Sequence, residues 1–254
     1  MAIPASLRAL LSNLIDYAGL YPPAALPLHD VSEKYAAYRG SPHSWILNRV
    51  VLPLAKLSEA PVGEGWHVTL LVEGEPGPLS PQVETLETKL SYGLSLPTYC
   101  EAPLAQIAGA FAKIRTGGLT PDAIPSPEAI ADFLHRTAQC RLPFKATAGL
   151  HHPIRSLRPL TYAPDSPRAV MHGFLNVFVA AAFAWHDAAR HVLIEVLTEE
   201  DPRAFAFDGD ELRWRSHRLT TRQVQNARRY FAHSFGSCSF EEPIADLREL
   251  GFLP

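Results

Sequence analysis

Phe111-Ala112-Lys113-Ile114-Arg115-Thr116-Gly117-Gly118 and Phe144-Lys145-Ala146-Thr147-Ala148-Gly149 are the two stretches that decide the fold. Each is a short β-rich run that ends in glycine. Side chains alternate across a strand, so the apolar neighbours of each lysine point to one face and Lys113 and Lys145 to the other. Between the two runs lies Pro125-Ser126-Pro127-Glu128. There Ser126 is placed to cap, and Pro127 to open, a helix with Ile130, Phe133 and Leu134 on one face. Strand, helix, strand is the unit of an α/β fold.

Working outward, six further runs have strand character, at residues 14–19, 49–52, 68–72, 85–90, 98–101 and 234–237. Tyr21-Pro22-Pro23 stops the first, because proline cannot continue a ladder. The connection between the fourth and fifth runs is too short and turn-rich for a good helix. Between the seventh and eighth lies a long excursion with an apolar helix at 172–185, a second at 190–197 and an Arg-rich helix at 220–229, and a helix at 244–250 closes the chain. Eight short strands in about 250 residues match a (β/α)8 TIM barrel. The expectation is one α/β domain over residues 1–254, trimmed in its middle helices and carrying a helical insertion between strands 7 and 8.

Composition narrows the function. With 23 Lys+Arg against 26 Asp+Glu the net charge is -3, and no basic stripe exists to neutralise a phosphate backbone, so nucleic acid is not an expected partner. The apolar run at 174–185 is shorter than the roughly 20 residues a membrane helix requires. It reads as a buried helix or a subunit face, the latter pointing to a homo-oligomer. Cys100, Cys140 and Cys238 are an odd number with no C-x-x-C spacing, which suits a reducing cytoplasm and neither a disulfide framework nor a zinc knuckle. The N-terminus has no secretory pattern.

Barrel enzymes gather catalytic groups at the C-terminal ends of their strands. Those ends hold Asp16, Lys89, Glu101, Lys113, Arg115, Lys145, His151, His152 and the turn Gly236-Ser237-Cys238-Ser239. Three of the five lysines of the chain are among them, and the other two, Lys34 and Lys56, fall on presumed solvated helices. Adjacent strands lie about 4.8 Å apart, so Lys113 and Lys145 at matching heights bring two ammonium groups together. In a desolvated cavity such a pair lowers one pKa and yields a neutral amine, the nucleophile of Schiff-base chemistry. Alternatively each lysine pairs with a carboxylate, Glu87 and Glu101 being the candidates.

Lys113 followed by Thr116-Gly117, with the second lysine at 145, resembles the Schiff-base strands of the deoxyribose-phosphate aldolases. Collinear matches extend from residue 14 to 239. Leu14-Ile15-Asp16-Tyr17 is similar to the opening strand, Val50-Val51-Leu52-Pro53 to the second, Cys100-Glu101 to the fifth, and Phe235-Gly236-Ser237-Cys238-Ser239 to the terminal Gly-x-Ser turn. The resemblance implies a class I aldolase-like lyase acting on a small carbonyl substrate without a cofactor or metal. Lys113 would form the imine and Lys145 lower its pKa. Asp16, Glu101 and a histidine would handle protons, and Arg115, Thr116, His151, His152, Gly236 and Ser237 would bind substrate. The family's phosphate motif after strand 7 reads here Ala148-Gly149-Leu150-His151-His152-Pro153, and its fourth-strand aspartate has only Glu87 and Lys89 as counterparts. A phosphorylated substrate is therefore not implied.

Two other readings use the same fold. His151 and His152 with a carboxylate such as Glu101 or Asp16 would suit a metal-dependent lyase or isomerase. A barrel without catalysis would serve as a binding or scaffold protein. His172 and Asn176, one helical turn apart, read as core or cap residues ahead of site residues. Cys238 reads as a buried thiol at the end of a strand.

Overall fold

All eight runs become parallel strands of one closed barrel in the computed structural model, which describes residues 2–254. They are β1 (Ile15–Tyr17), β2 (Leu47–Pro53), β3 (Val68–Leu71), β4 (Val83–Thr88), β5 (Thr98–Cys100), β6 (Phe111–Arg115), β7 (Phe144–Thr147) and, last in the chain, β13 (Ala232–Ser237). Around the barrel the order is β1-β13-β7-β6-β5-β4-β3-β2, so neighbours in sequence are neighbours in space and β13 closes onto β1. This is the expected (β/α)8 architecture. The fourth strand begins and ends two residues earlier than its sequence pattern suggests, which leaves Lys89 exposed beyond it.

The α-helices among the described residues are α1 (Ala5–Leu11), α2 (Leu28–Arg39), α3 (Pro127–Gln139), α4 (Phe174–Trp185), α5 (Arg190–Thr198), α6 (Thr221–Tyr230) and α7 (Glu241–Glu249). The middle of the barrel is trimmed as expected. Only the 3-10 turns Leu54–Lys56 and Leu104–Gln106 stand where helices would follow β2 and β5. Ser126 Oγ accepts the Ala129 N–H at 3.2 Å and Pro127 opens α3, so the cap works as its sequence requires. Thr220 and Gln223 form a reciprocal capping box on α6.

The excursion between β7 and β13 is more than helical. A hairpin of β8 (Ser156–Pro159) and β9 (Arg168–Met171) follows β7, and a small antiparallel sheet of β10 (Phe205–Phe207), β11 (Glu211–Trp214) and β12 (His217–Thr220) precedes α6. The strands of that sheet are only three or four residues long, below what periodicity resolves.

Apart from Asn176, helix α4 is apolar on every side, and every residue from Phe174 to Ala184 is buried within the chain. An all-apolar helix is stable only when surrounded. Here α3, α5 and α6 surround it and β13 lies beneath, with Phe174 and Phe178 packed on Phe235. The run that offered a subunit face is thus consumed by the chain's own core. His172 and Asn176 also belong to this packing. His172 Nε2 lies 2.7 Å from the Pro125 carbonyl, and Asn176 Nδ2 donates to Val196 O and Glu199 O at 2.7 and 2.8 Å. Among the described residues no helix is long and apolar enough to cross a membrane.

At the N-terminal pole, Arg228 of α6 ties three elements together. Its guanidinium donates to Leu10 O at 2.8 Å, to Ser12 O at 2.9 Å and to Asn13 O, Ala232 O and His233 O, the carbonyls where α1 ends and β13 begins. A buried carbonyl left without a donor is costly. Arg228→Leu is therefore expected to destabilise the fold by roughly 3 kcal/mol in urea denaturation; a loss below about 1 kcal/mol would contradict this role.

Candidate active site

Lys113 and Lys145 are direct register partners on β6 and β7. The strand ends that hold them are fixed by two glycines. A Cβ on Gly117 would fall 2.8 Å from Gly149 Cα, and one on Gly149 2.7 Å from Gly117 Cα, so the two loops touch backbone to backbone. Gly149 also has φ +77, a left-handed conformation that favours glycine. Thr116 Oγ1 donates to Ala148 O at 2.5 Å and so ties β6 to β7 instead of lining the mouth.

The two ammonium groups do not face each other bare, because Glu87 of β4 lies between them. Its Oε2 is 2.8 Å from Lys113 Nζ, and its Oε1 accepts from Lys145 Nζ. Asp16 of β1 accepts a second hydrogen bond from Lys145 Nζ at 2.5 Å, and Glu101, just past β5, lies 3.2 Å from Lys113 Nζ. The alternative in which each lysine pairs with a carboxylate is the one realised, and the expected repulsion between lysines is replaced by a shared counter-ion. Asp16 is satisfied in turn by Asn48 Nδ2 at 2.7 Å, Ser234 Oγ at 2.8 Å and the Arg49 N–H at 3.2 Å.

Burial alone would raise the Glu87 pKa, but the Lys145 and Lys113 charges outweigh it and hold the carboxyl down to about 2. Burial alone would lower the Lys145 pKa, yet Asp16 and Glu87 push it up. Lys145 is therefore a fixed cation, with its side chain 1% exposed. The Lys113 side chain, at 7%, reaches the surface of a cavity.

That cavity, of about 360 Å3, opens at the C-terminal end of the barrel and is lined by Lys113, Glu87, Arg115, Tyr21, His151, Gly236 and Cys238 among others. A second lobe of about 810 Å3 shares Leu71, Glu87, Lys113 and Arg115 with it and adds Lys89 and Glu101. Both are of ligand-binding size. Lys113 thus stands on the partition between two lobes of an open mouth.

Of the sequence-derived residues, Lys113, Arg115, His151 and Gly236 line the first lobe and Glu101 the second. Asp16, Lys145, Thr116, His152 and Ser237 do not line either lobe. Arg115 Nε donates to Glu101 at 2.8 Å, the pairing with a nearby acid that its position also allowed. Burial would raise the Glu101 pKa, but Lys113 and Arg115 lower it. Ser237 Oγ donates to Ser239 O at 2.7 Å inside its own turn.

His151 and His152 turn away from Asp16 and Glu101. His151 Nδ1 lies 3.4 Å from Glu242 of α7 and 4.0 Å from Cys238 Sγ. His152 Nδ1 lies 2.6 Å from Asp246. Among the described residues no three His, Cys, Asp or Glu side chains converge in an arrangement that holds a metal ion.

Two residues of the mouth escape a reading of strand ends. Tyr21 looks in the sequence like a mere strand stop, yet its hydroxyl is buried in the cavity wall with no partner. Burial raises its pKa, as does the charge of Glu87 nearby, so it is a neutral donor. Glu87 is visible in the sequence as a candidate partner for one lysine, and nothing there says that it would be shared by both. No protein-family model, no curated protein and no solved structure matches the chain to a significant degree.

The charge network sets a pH dependence. Glu87 is held at about 2 against an ordinary value of 4.5, so its contribution to stability is complete above pH 4.5 and is lost as pH falls toward 2. Lys145, raised above its ordinary 10.5, contributes fully below that value and loses its contribution only at more alkaline pH. The urea midpoint is expected to be flat in this respect between about pH 5 and 10 and to fall below it. Glu87→Gln should cost about 3–5 kcal/mol at pH 7 by leaving two buried ammonium groups short of a counter-ion, and should flatten the acid limb. An unchanged acid limb in the variant would show that Glu87 does not carry it.

Proposed function

We propose that the chain is a class I aldolase-like carbon–carbon lyase, a divergent relative of the deoxyribose-phosphate aldolases, in which Lys113 forms a Schiff base with a small carbonyl compound. The single observation that carries this reading is Lys113 Nζ on the wall of an open mouth, 2.8 Å from Glu87 and 3.2 Å from Glu101.

Imine formation requires Nζ to surrender a proton, attack the carbonyl carbon and expel one water. Glu101 is the acceptor suited to take that proton and, being nearer solvent, to exchange it onward, whereas Glu87 is held ionised by two lysines. The Tyr21 hydroxyl has its hydrogen to offer, and a substrate carbonyl or hydroxyl oxygen is the acceptor it lacks. The iminium then draws the electron pair of the carbon–carbon bond between its α and β carbons, while a base removes the β-hydroxyl proton. An aldehyde leaves and an enamine stays on Lys113. Protonation of the enamine carbon and addition of water release the second product and restore the amine.

Lys145 and Asp16 do not touch the cavity and act through Glu87, as positioning residues. Lys145 keeps Glu87 ionised and turned toward Lys113, because each oxygen of that carboxylate has its own cation. Arg115 offers a cation at the rim for a polar substrate end, at the expense of its pair with Glu101.

Incubation with short aldehydes and ketones, reduction by borohydride and peptide mapping should place an adduct on Lys113. Lys113→Met should abolish it, and Glu101→Gln should slow its formation roughly 100-fold without moving it. No adduct from any carbonyl compound, or an equal one in Lys113→Met, overturns the reading.

A further inference from the structure

The first lobe has a second polar cluster, opposite in character to the lysine network. Cys238 lies in the turn after β13 with its thiol on the cavity wall. His151 Nδ1 faces the sulfur at 4.0 Å from the loop after β7, and the Tyr162 hydroxyl reaches it at 3.7 Å from the β8–β9 hairpin. Glu242 of α7 completes the group, 3.4 Å from His151 Nδ1 and 3.3 Å from the Tyr162 hydroxyl.

The His151 ring and the Tyr162 hydroxyl approach the sulfur from two segments, and a cationic imidazole beside a thiol favours its thiolate. Glu242 favours the imidazolium of His151, and the imidazolium favours the thiolate. Burial works against both charges but is outweighed. The His151 pKa rises to about 9, and that of Cys238 is lowered mainly by His151. Cys100 is a buried thiol without such company, and Cys140 is exposed. The arrangement is that of a thiol poised to react.

We propose that Cys238 and His151 form a second nucleophilic centre in the mouth, which binds small aldehydes as reversible hemithioacetals. In this step the sulfur bonds to the carbonyl carbon and the π pair moves to oxygen. The proton that left the thiol for His151 Nδ1 passes to that oxygen, giving a hydroxyl. Nothing is oxidised and nothing leaves. Addition to an aldehyde asks only for a thiolate and one proton carrier, and these are present. Disulfide exchange within the chain would need a second cysteine, and Cys100 and Cys140 lie elsewhere. The centre does not depend on an imine at Lys113.

Alkylation by iodoacetamide at pH 6.5, followed residue by residue by peptide mapping, tests the proposal. Cys238 should react roughly tenfold or more faster than Cys140 despite being the less exposed thiol. His151→Gln should slow Cys238 by about the same factor, and Tyr162→Phe, a change at an exposed side chain, by a smaller one. Propionaldehyde should protect Cys238, reversibly on gel filtration, in the wild type and equally in Lys113→Met. Faster reaction at Cys140, or a Cys238 rate unchanged in both variants, overturns the proposal. So does protection that disappears with Lys113, since the thiol would then be shielded only by an imine neighbour.

Discussion

The carboxylate of Glu87, shared by two lysines inside a closed barrel, is the constraint from which the rest of the site follows. Parallel strands place register partners about 4.8 Å apart, and two unit charges at that distance repel by roughly 3 kcal/mol at an effective dielectric constant near 20. β6 and β7 could not carry Lys113 and Lys145 side by side without an anion between them. Glu87 supplies it, but a single carboxylate balances only one cation. Asp16 must answer for Lys145 and Glu101 for Lys113. Asp16 then needs donors of its own, and Asn48, Ser234 and the Arg49 N–H supply them from β2 and β13. One pair of lysines thus dictates polar residues on most strands of a barrel whose interior is ordinarily filled with branched apolar side chains.

The same network separates two side chains of identical chemistry. Lys145 is enclosed, held by two carboxylates and kept charged. Lys113 has its counter-ions on one side and open space on the other. Their roles differ because the barrel is closed below and open above. Gly117 and Gly149 make this possible, since their backbone contact brings the ends of β6 and β7 together where any side chain would force the loops apart.

The eight strands, the cap at Ser126 and the trimmed middle were legible because each rests on local rules: alternation, proline stops and helix caps. The matching heights of Lys113 and Lys145 were legible for the same reason. What stood between them was legible only as an alternative, Glu87 or Glu101 pairing with each lysine, because Glu87 arrives from two strands away and only closure of the barrel lets both lysines share it. The partners of His151 and His152 were hidden. Glu242 and Asp246 lie about ninety residues later, on the helix after the last strand. The buried fate of 174–184 had a local sign in its lack of any polar face, a pattern equally suited to a subunit interface. Which surface covers such a helix is a tertiary fact.

These later arrivals bear on substrate charge. In the deoxyribose-phosphate aldolases, the relatives proposed above, a Gly-Gly-x-Arg loop after strand 7 receives a phosphate. Here the corresponding loop carries His151 and His152, and α7 sets Glu242 and Asp246 against them. A phosphate approaching that side would gain two imidazoles and meet two carboxylates already paired with them. It would have to displace those carboxylates at the cost of leaving buried charges unpaired. The Arg115 guanidinium is a cation on this rim with room to turn, since its side chain is more than half exposed and its partner Glu101 is shared with Lys113. On the proposed aldolase-like function, a small carbonyl compound at Lys113 would set its polar end toward Arg115 and away from α7.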